Sequence, residues 1–243
     1  MSPAKRRTVG ILGGMGPEAT AAFLNLIVRN TRARRDQEHV PVVVCSLPQV
    51  PDRTEAILHG GPSPLPLLRR GLRTLRRAGA DFAVMPCLSA HHFYATLAAR
   101  SPIPLIDLVE ETAAEVRKRQ PRVRKVGLIA TSGTVASRVF PRVFEPAGIE
   151  VLVPDARAQR RVMEAIYGPA GVKAGASPAP PRRVLRTVAS ALVRRGAQAI
   201  VAGCTEVPLV LRPRDVAVPL VDPMRIGARA CIRRAGARLR PEL

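Results

Sequence analysis

The chain has 243 residues, enough for one large domain or two small ones with real cores. It is 47% hydrophobic but only 3% aromatic, so its core must be built from Ala, Val, Leu and Ile, and no apolar run approaches the roughly 18 residues of a membrane helix. The net charge of +21 raises nucleic acid as a partner, yet the 39 basic residues are spread as pairs along helical segments and few aromatics are present to stack on bases, so a specific nucleic-acid site is not expected.

Only four of those basic residues are lysines (5, 118, 125 and 173), leaving 35 arginines, and the pattern reads as solvated helix faces. Weak, nonspecific adhesion to nucleic acid at low salt still follows from the charge. The opening MSPAKRRTVGILGG is basic, but its apolar stretch is too short for a secretory signal and runs into a glycine loop. The expected location is therefore cytoplasmic.

In chain order, eight β-branched runs read as strands: TVGILGG at 8, VPVVVCSLP at 40, DFAVMPC at 81, IPLIDL at 103, KVGLIAT at 125, IEVLVP at 149, AIVAGC at 199 and VPLVDP at 218. Between them lie Ala/Leu/Arg-rich stretches that read as helices starting near 18, 64, 89, 109, 136, 159, 181, 206 and 224. The strands are continuously apolar rather than alternating, which predicts parallel sheets covered on both faces. GGPSPLPL at 60–67 reads either as a flap or as a surface linker.

The halves of the chain repeat. RTVGILGGMGPEAT at 7 aligns with RKVGLIATSGTVAS at 124, and RAGADFAVMPCLSA at 77 with RRGAQAIVAGCTEV at 194, both at an offset of 117. IPLIDLVEE at 103 resembles VPLVDPMRI at 218. The second block pairs Cys87 with Cys204, each at the end of an apolar run and followed by helix. The expected fold is α/β, with two similar units related by pseudo-twofold symmetry. Because ligands sit beyond the carboxyl ends of parallel strands, such units would present the two cysteines to one cleft.

Two facing thiols suit one kind of chemistry. A thiolate takes a proton from one face of a carbon and a thiol returns one to the other, inverting a stereocentre without an organic cofactor. A helix N-terminus is expected to lower the pKa of such a thiol, and Ser89 and Thr205 add hydroxyls beside the two sulfurs. Cys45 and Cys231 read as small buried hydrophobes. The four cysteines lack CxxC spacing, so neither zinc nor a disulfide framework is indicated. A metal site from Cys87, His91 and His92 would have no counterpart at Cys204, so the histidines are expected to cap or pack the following helix. Gly14, Gly16 and Ala19 match a dinucleotide fingerprint, but no acidic residue ends the second strand to bind a ribose, and NAD is rejected. Pro17 marks the start of a helix there.

With these motifs in place, the sequence resembles the aspartate/glutamate racemases, and within them the aspartate racemase branch. VGILGGMGPEAT, RDQEH at 35–39, PQVPDRT at 48–54, the MPC…AH block at 85–91, ATSGT, KAG at 173–175, GCTE at 203–206 and VDPM at 221–224 carry the likeness. The resemblance implies a first α/β domain of residues 1–108 plus 222–243 and a second of 109–221 inserted into it. It implies pyridoxal-phosphate-independent racemisation of a dicarboxylic amino acid by Cys87 and Cys204, no cofactor, and a homodimer. Arg53 and Lys173 would hold substrate carboxylates, with Met15, Gln49, Leu88, Ser89, Thr131, Thr205 and Glu206 as further binding residues.

Two departures bear on the substrate. The family pattern after the first cysteine is Asn-Thr-Ala, whereas this chain has Leu88-Ser89-Ala90. Leucine removes an amide that in relatives helps hold the amino acid. The stretch from Tyr167 to Lys173 is also about two residues longer than in the family, so Lys173 is expected on a differently shaped flap. The rival readings are therefore a two-cysteine enzyme with another substrate, as in hydantoin racemases and maleate isomerases, and a noncatalytic small-molecule binder.

Overall fold

In the computed structural model, which describes residues 6–175 and 177–241, all eight predicted strands form. They are β1 (Val9–Gly13), β2 (Val42–Ser46), β3 (Phe82–Val84), β4 (Leu105–Ile106), β5 (Lys125–Ile129), β6 (Glu150–Leu152), β7 (Ala199–Ala202) and β8 (Leu220–Val221). They make two parallel four-stranded sheets with the same order, β2-β1-β3-β4 and β6-β5-β7-β8. Val9 pairs with Val42 and Phe82 in the first, and Val126 with Val151 and Ala199 in the second. The repeat read from the sequence is thus a repeat of topology.

The helices are α1 (Pro17–Asn30), α2 (Arg53–Leu58), α3 (Leu65–Arg77), α4 (Tyr94–Ala98), α5 (Leu108–Arg119), α6 (Ser132–Ala136), α7 (Val139–Phe144), α8 (Ala156–Tyr167), α9 (Ala179–Arg194), α10 (Val207–Val210) and α11 (Pro223–Arg234). Both faces of the central strands are covered. Val9, Ile11, Phe82 and Val84 of the first sheet share one continuous core with Val126, Leu128 and Val201 of the second. Leu12, Ala83 and Leu105 face the opposite way, onto α3, and Ile129, Ile200 and Ala202 face α8 and α9. Side chains alternate between faces, so burying both faces requires an unbroken apolar string. Each fully buried Val, Leu or Ile contributes roughly 1.5–3 kcal/mol. The aliphatic core expected from composition is supplemented by Phe23, Phe82, Phe140 and Phe144, all fully buried.

Matched caps hold the matched elements. Asp107 and Asp222 occupy equivalent N-cap positions before α5 and α11, where their carboxylates accept from Val109 and Glu110 N–H and from Met224 N–H. Gly79 and Gly196 end α3 and α9 at φ +87° and +95°, a conformation that favours glycine. The last helix, α11, packs on α1 and α5. In α3, Leu68, Leu72 and Leu75 turn inward while Arg70, Arg73, Arg76 and Arg77 are exposed, as expected of a solvated arginine face.

Three local features depart from the sequence reading. Helix α2 was not among the predicted elements, although Asp52 caps it by accepting from Thr54 and Glu55 N–H. The helical stretch expected near 136 is broken into α6 and α7 by Arg138, whose φ is +53°. The 60–67 stretch is a loop running into α3, and it does not line the cavity described next. No helix among the described residues is long and apolar enough to cross a membrane.

Candidate active site

The carboxyl ends of the two sheets meet around a small closed cavity. Its walls include Cys87, Leu88 and Ser89 after β3, Cys204, Thr205 and Glu206 after β7, Met15 after β1, Thr131 after β5, Arg53 of α2 and Lys173. Ten of the eleven residues singled out from the sequence are therefore brought together. The exception is Gln49, which is exposed and does not line the cavity. Thr134 and Tyr167 also line it and were not anticipated. Thr134 lies in the ATSGT loop, where Thr131 caps α6 through Thr134 N–H, and Tyr167 closes α8.

Close backbone approach brings the two sheets' loops together. A Cβ on Gly16 would lie 3.1 Å from Glu206 Oε1 and 3.4 Å from Lys173 Nζ. A Cβ on Gly133, at the equivalent position of the repeat, would lie 2.8 Å from Thr54 Cα. Glycine at both positions lets the loop of each half press against the other. Tyr167 adds a polar latch, its hydroxyl donating to Asp52 Oδ2 at 3.0 Å. The enclosed space is about 10 Å³, room for roughly one water. An amino acid enters only if the halves part.

The two sulfurs have unlike surroundings. Cys204 Sγ donates to Glu206 Oε2 at 2.9 Å, Thr205 Oγ1 donates to the same oxygen at 3.0 Å, and Lys173 Nζ donates to Oε1 at 2.9 Å. Burial pushes the Cys204 thiol well above its usual range, and the Glu206 carboxylate pushes it further. Burial works against ionisation of Glu206, but the Lys173 ammonium and the donated hydrogen bonds outweigh it and leave its pKa lowered. The expected lowering by a helix end is not found at Cys204. The following helix, α10, has only four residues, and an adjacent carboxylate dominates.

At Cys87 the neighbour is a cation. Burial works against the charge of Arg53, but the nearby Cys87 sulfur and the Asp52 carboxylate hold the guanidinium charged. Arg53 Nη1 donates to the carbonyls of Val50 and Pro51, and Nη2 to that of Met15 at 3.4 Å. Its Nε is buried without a partner among the described residues. Ser89 Oγ lies 3.5 Å from Cys87 Sγ. His91 supports the cysteine from behind, with Nδ1 2.9 Å from the Cys87 carbonyl and Nε2 accepting from Leu108 N–H at 3.1 Å. Burial holds His91 below its ordinary pKa. Both ring nitrogens are thus engaged in the backbone, which gives it the packing role expected from the sequence. His92 is exposed.

The comparison with known families decides the affiliation. The profile of the family described as Asp/Glu/Hydantoin racemase matches residues 12–231. The chain belongs to the Asp/Glu/Hydantoin racemase family. Members of this family are isomerases, and the likeness read from the motifs is confirmed. The chain is similar to the Picrophilus torridus aspartate racemase, with a TM-score of 0.87 and 29% identity over 96% of each chain. It is 24% identical over 229 residues to a broad specificity amino-acid racemase of Bacillus subtilis, covering 88% of this chain and 92% of that protein. Glutamate racemase of Francisella tularensis shares the fold, at a TM-score of 0.65 and 16% identity over 93% of this chain and 80% of that one.

Proposed function

We propose that this chain is a cofactor-independent amino-acid racemase in which Cys87 and Cys204 exchange the substrate's α proton from opposite faces, with aspartate or glutamate as substrate. The observation that carries this is the placement of both sulfurs on one enclosed cavity with opposite charges beside them. Cys204 keeps its proton, which Glu206 accepts in a hydrogen bond, and Arg53 stands beside Cys87, where its charge offsets negative charge on that sulfur during the transfer. Cys87 removes the α proton of one enantiomer while Cys204 delivers its own to the opposite face. The reverse reaction begins from the complementary protonation state. Arg53, through its unpartnered Nε, is the station for a substrate carboxylate. Lys173 meets a second carboxylate only while sharing its charge with Glu206.

A second reading concerns the side chain of the substrate. Leu88 is 1% exposed and forms part of the cavity wall. An apolar wall favours a substrate with a neutral side chain, a reading in keeping with the broad specificity named for the Bacillus subtilis relative. The same proposal includes a first unit of residues 1–108 plus 222–243, a second of 109–221, and a cytoplasmic homodimer.

The test is α-proton exchange of L- and D-aspartate in deuterated water, followed by NMR, for the parent chain and for Cys87→Ser and Cys204→Ser. Exchange by the parent that the two variants impair differently for the two enantiomers is the expected result. Equal exchange by parent and both variants would rule the thiol pair out. No exchange of aspartate or glutamate, but exchange of a neutral amino acid, would select the second reading.

A further inference from the structure

At the opposite end of the first sheet from the cysteines, before the strands begin, the surface is hollowed by about 880 Å³. This lies within the roughly 300–1,000 Å³ typical of small-molecule sites. Five arginines line the hollow: Arg6, Arg32, Arg34, Arg35 and Arg238. Among the described residues the only carboxylate on its wall is Glu38, and it is already engaged, accepting from Arg34 N–H at 2.8 Å and from Arg35 Nε at 3.2 Å. Among the described residues the guanidinium groups of Arg32 and Arg238 have no hydrogen-bond or ion-pair partner, while the charge of Arg34, like that of Arg35, helps to stabilise the Glu38 carboxylate. His39, also on the wall, keeps a buried Nδ1 with no partner.

The walls of this hollow are fixed by backbone bonds. Thr31 and Leu239 form an antiparallel bridge, and Arg32 N–H donates to the Arg238 carbonyl at 2.8 Å. Arg6 Nη1 donates to the His39 carbonyl at 3.1 Å, and Arg7 N–H to that of Ala235. These bonds hold segments remote in sequence in one cradle, so five arginines converge where Glu38 is the single carboxylate among the described lining residues. Elsewhere the chain spreads its arginines along helix faces, as in α3, where each can be solvated separately. Guanidinium groups in a fork arrangement match phosphate oxygens in pairs.

We propose that this arginine-lined hollow is a binding site for a small molecule carrying two or more linked phosphate groups, separate from the cysteine cavity. The ligand is a diphosphate, either inorganic or attached to an organic body that occupies the remaining volume.

The test is calorimetric titration of the full chain with pyrophosphate and with ADP at about 150 mM salt, where charges beyond roughly 8 Å are screened. The parent is compared with Arg32→Gln/Arg238→Gln and with Arg183→Gln/Arg186→Gln, a pair on the exposed face of α9 that removes the same charge. The bridge between the two walls uses backbone atoms, so the first variant keeps the cradle. The expected result is one saturable site in the parent and a loss of affinity of at least tenfold in the first variant. The α9 variant changes by less than twofold. Tighter binding of ADP than of pyrophosphate assigns the site to an organic diphosphate, and equal binding to the inorganic one. No saturable binding of either probe overturns the proposal. So does equal weakening in both variants, which would show attraction to net charge alone.

Discussion

Replacing Glu206 by Gln isolates the group that sets the two sulfurs apart. The substitution keeps the shape and removes one buried negative charge that three donors share: Cys204, Thr205 and Lys173. Breaking a buried ion pair by removing one partner costs about 3–5 kcal/mol. Because the Lys173 side chain is 21% exposed, water recovers part of that loss, and about 2–3 kcal/mol remains. For a chain of this size each kcal/mol lowers the melting temperature by about 2–4 °C, so the variant should melt about 5–10 °C lower. The second effect has the opposite direction for reactivity. Glu206 helps to raise the Cys204 pKa, so its loss lets that thiol ionise at lower pH, with about tenfold more thiolate for each unit. Alkylation by iodoacetamide, resolved by cysteine with mass spectrometry across a pH series, reads the midpoint independently of how often the cavity opens. Cys45, outside the cavity, serves as the internal reference. An unchanged melting temperature together with an unchanged Cys204 midpoint would refute the charged Glu206–Lys173 pair and the resting state built on it.

Tyr167→Phe removes the latch to Asp52, worth about 1 kcal/mol for a half-exposed hydrogen bond. It should raise substrate on- and off-rates about fivefold in stopped-flow binding without altering the thiol midpoints. His91 must stay neutral to accept from Leu108 N–H. Its folded pKa lies below the ordinary value of about 6.5, so the stability it contributes is complete above that pH and is lost as pH falls through the lower folded value. Melting curves between about pH 7 and 5 should therefore fall more steeply for the parent than for His91→Asn. Leu88→Asn should raise kcat/KM for aspartate about tenfold, the net of a new bond to a charged group at about 1.5–3 kcal/mol and the cost of burying the amide. A rise for neutral amino acids instead would reverse the reading of Leu88.

Much of the fold was legible because parallel strands buried on both faces leave a continuous apolar string, and all eight such strings became strands. The offset of 117 carried further, since it predicted matched strand order and aligned the glycines that end α3 and α9. Helix α2 was missed because six residues are too few to show a period, although Asp52 with Glu55 three positions on is a capping signal. The break at Arg138 falls on a residue with no turn preference, and only Pro141, in the first turn of α7, marks a new helix start. At the site, the cysteines and charged residues were marked by motif, whereas Tyr167 joins the cavity through a tertiary contact, its hydroxyl bonded to Asp52 115 positions away. Motif membership placed Gln49 with the others, yet its side chain lies outside the wall, since sequence adjacency to Arg53 does not fix direction. The pKa of Cys204 was misjudged for a related reason. Sequence shows that a helix follows, but not that it is one turn long and that its neighbouring carboxylate turns back onto the sulfur.

The unequal surroundings of the two sulfurs meet a constraint that comes from the reaction itself. Mirror-image amino acids have the same free energy in water, so the equilibrium between them is balanced whatever the protein does. An enzyme that keeps its spare proton on the Glu206 side therefore cannot favour one enantiomer at equilibrium, and the ratio kcat/KM must be identical in the two directions. All the asymmetry is confined to kcat and KM moving together. Where return of the empty enzyme limits turnover, the enantiomer that uses the preferred protonation state has the higher kcat, because that return is downhill, and with kcat/KM equal it has the higher KM as well. In the proposed two-thiol cycle each passage also leaves the proton on the opposite sulfur, so the empty enzyme must shift it back before repeating the same direction. In that cycle the return is independent of substrate, so raising the substrate concentration speeds every binding step but leaves this one as the ceiling on turnover.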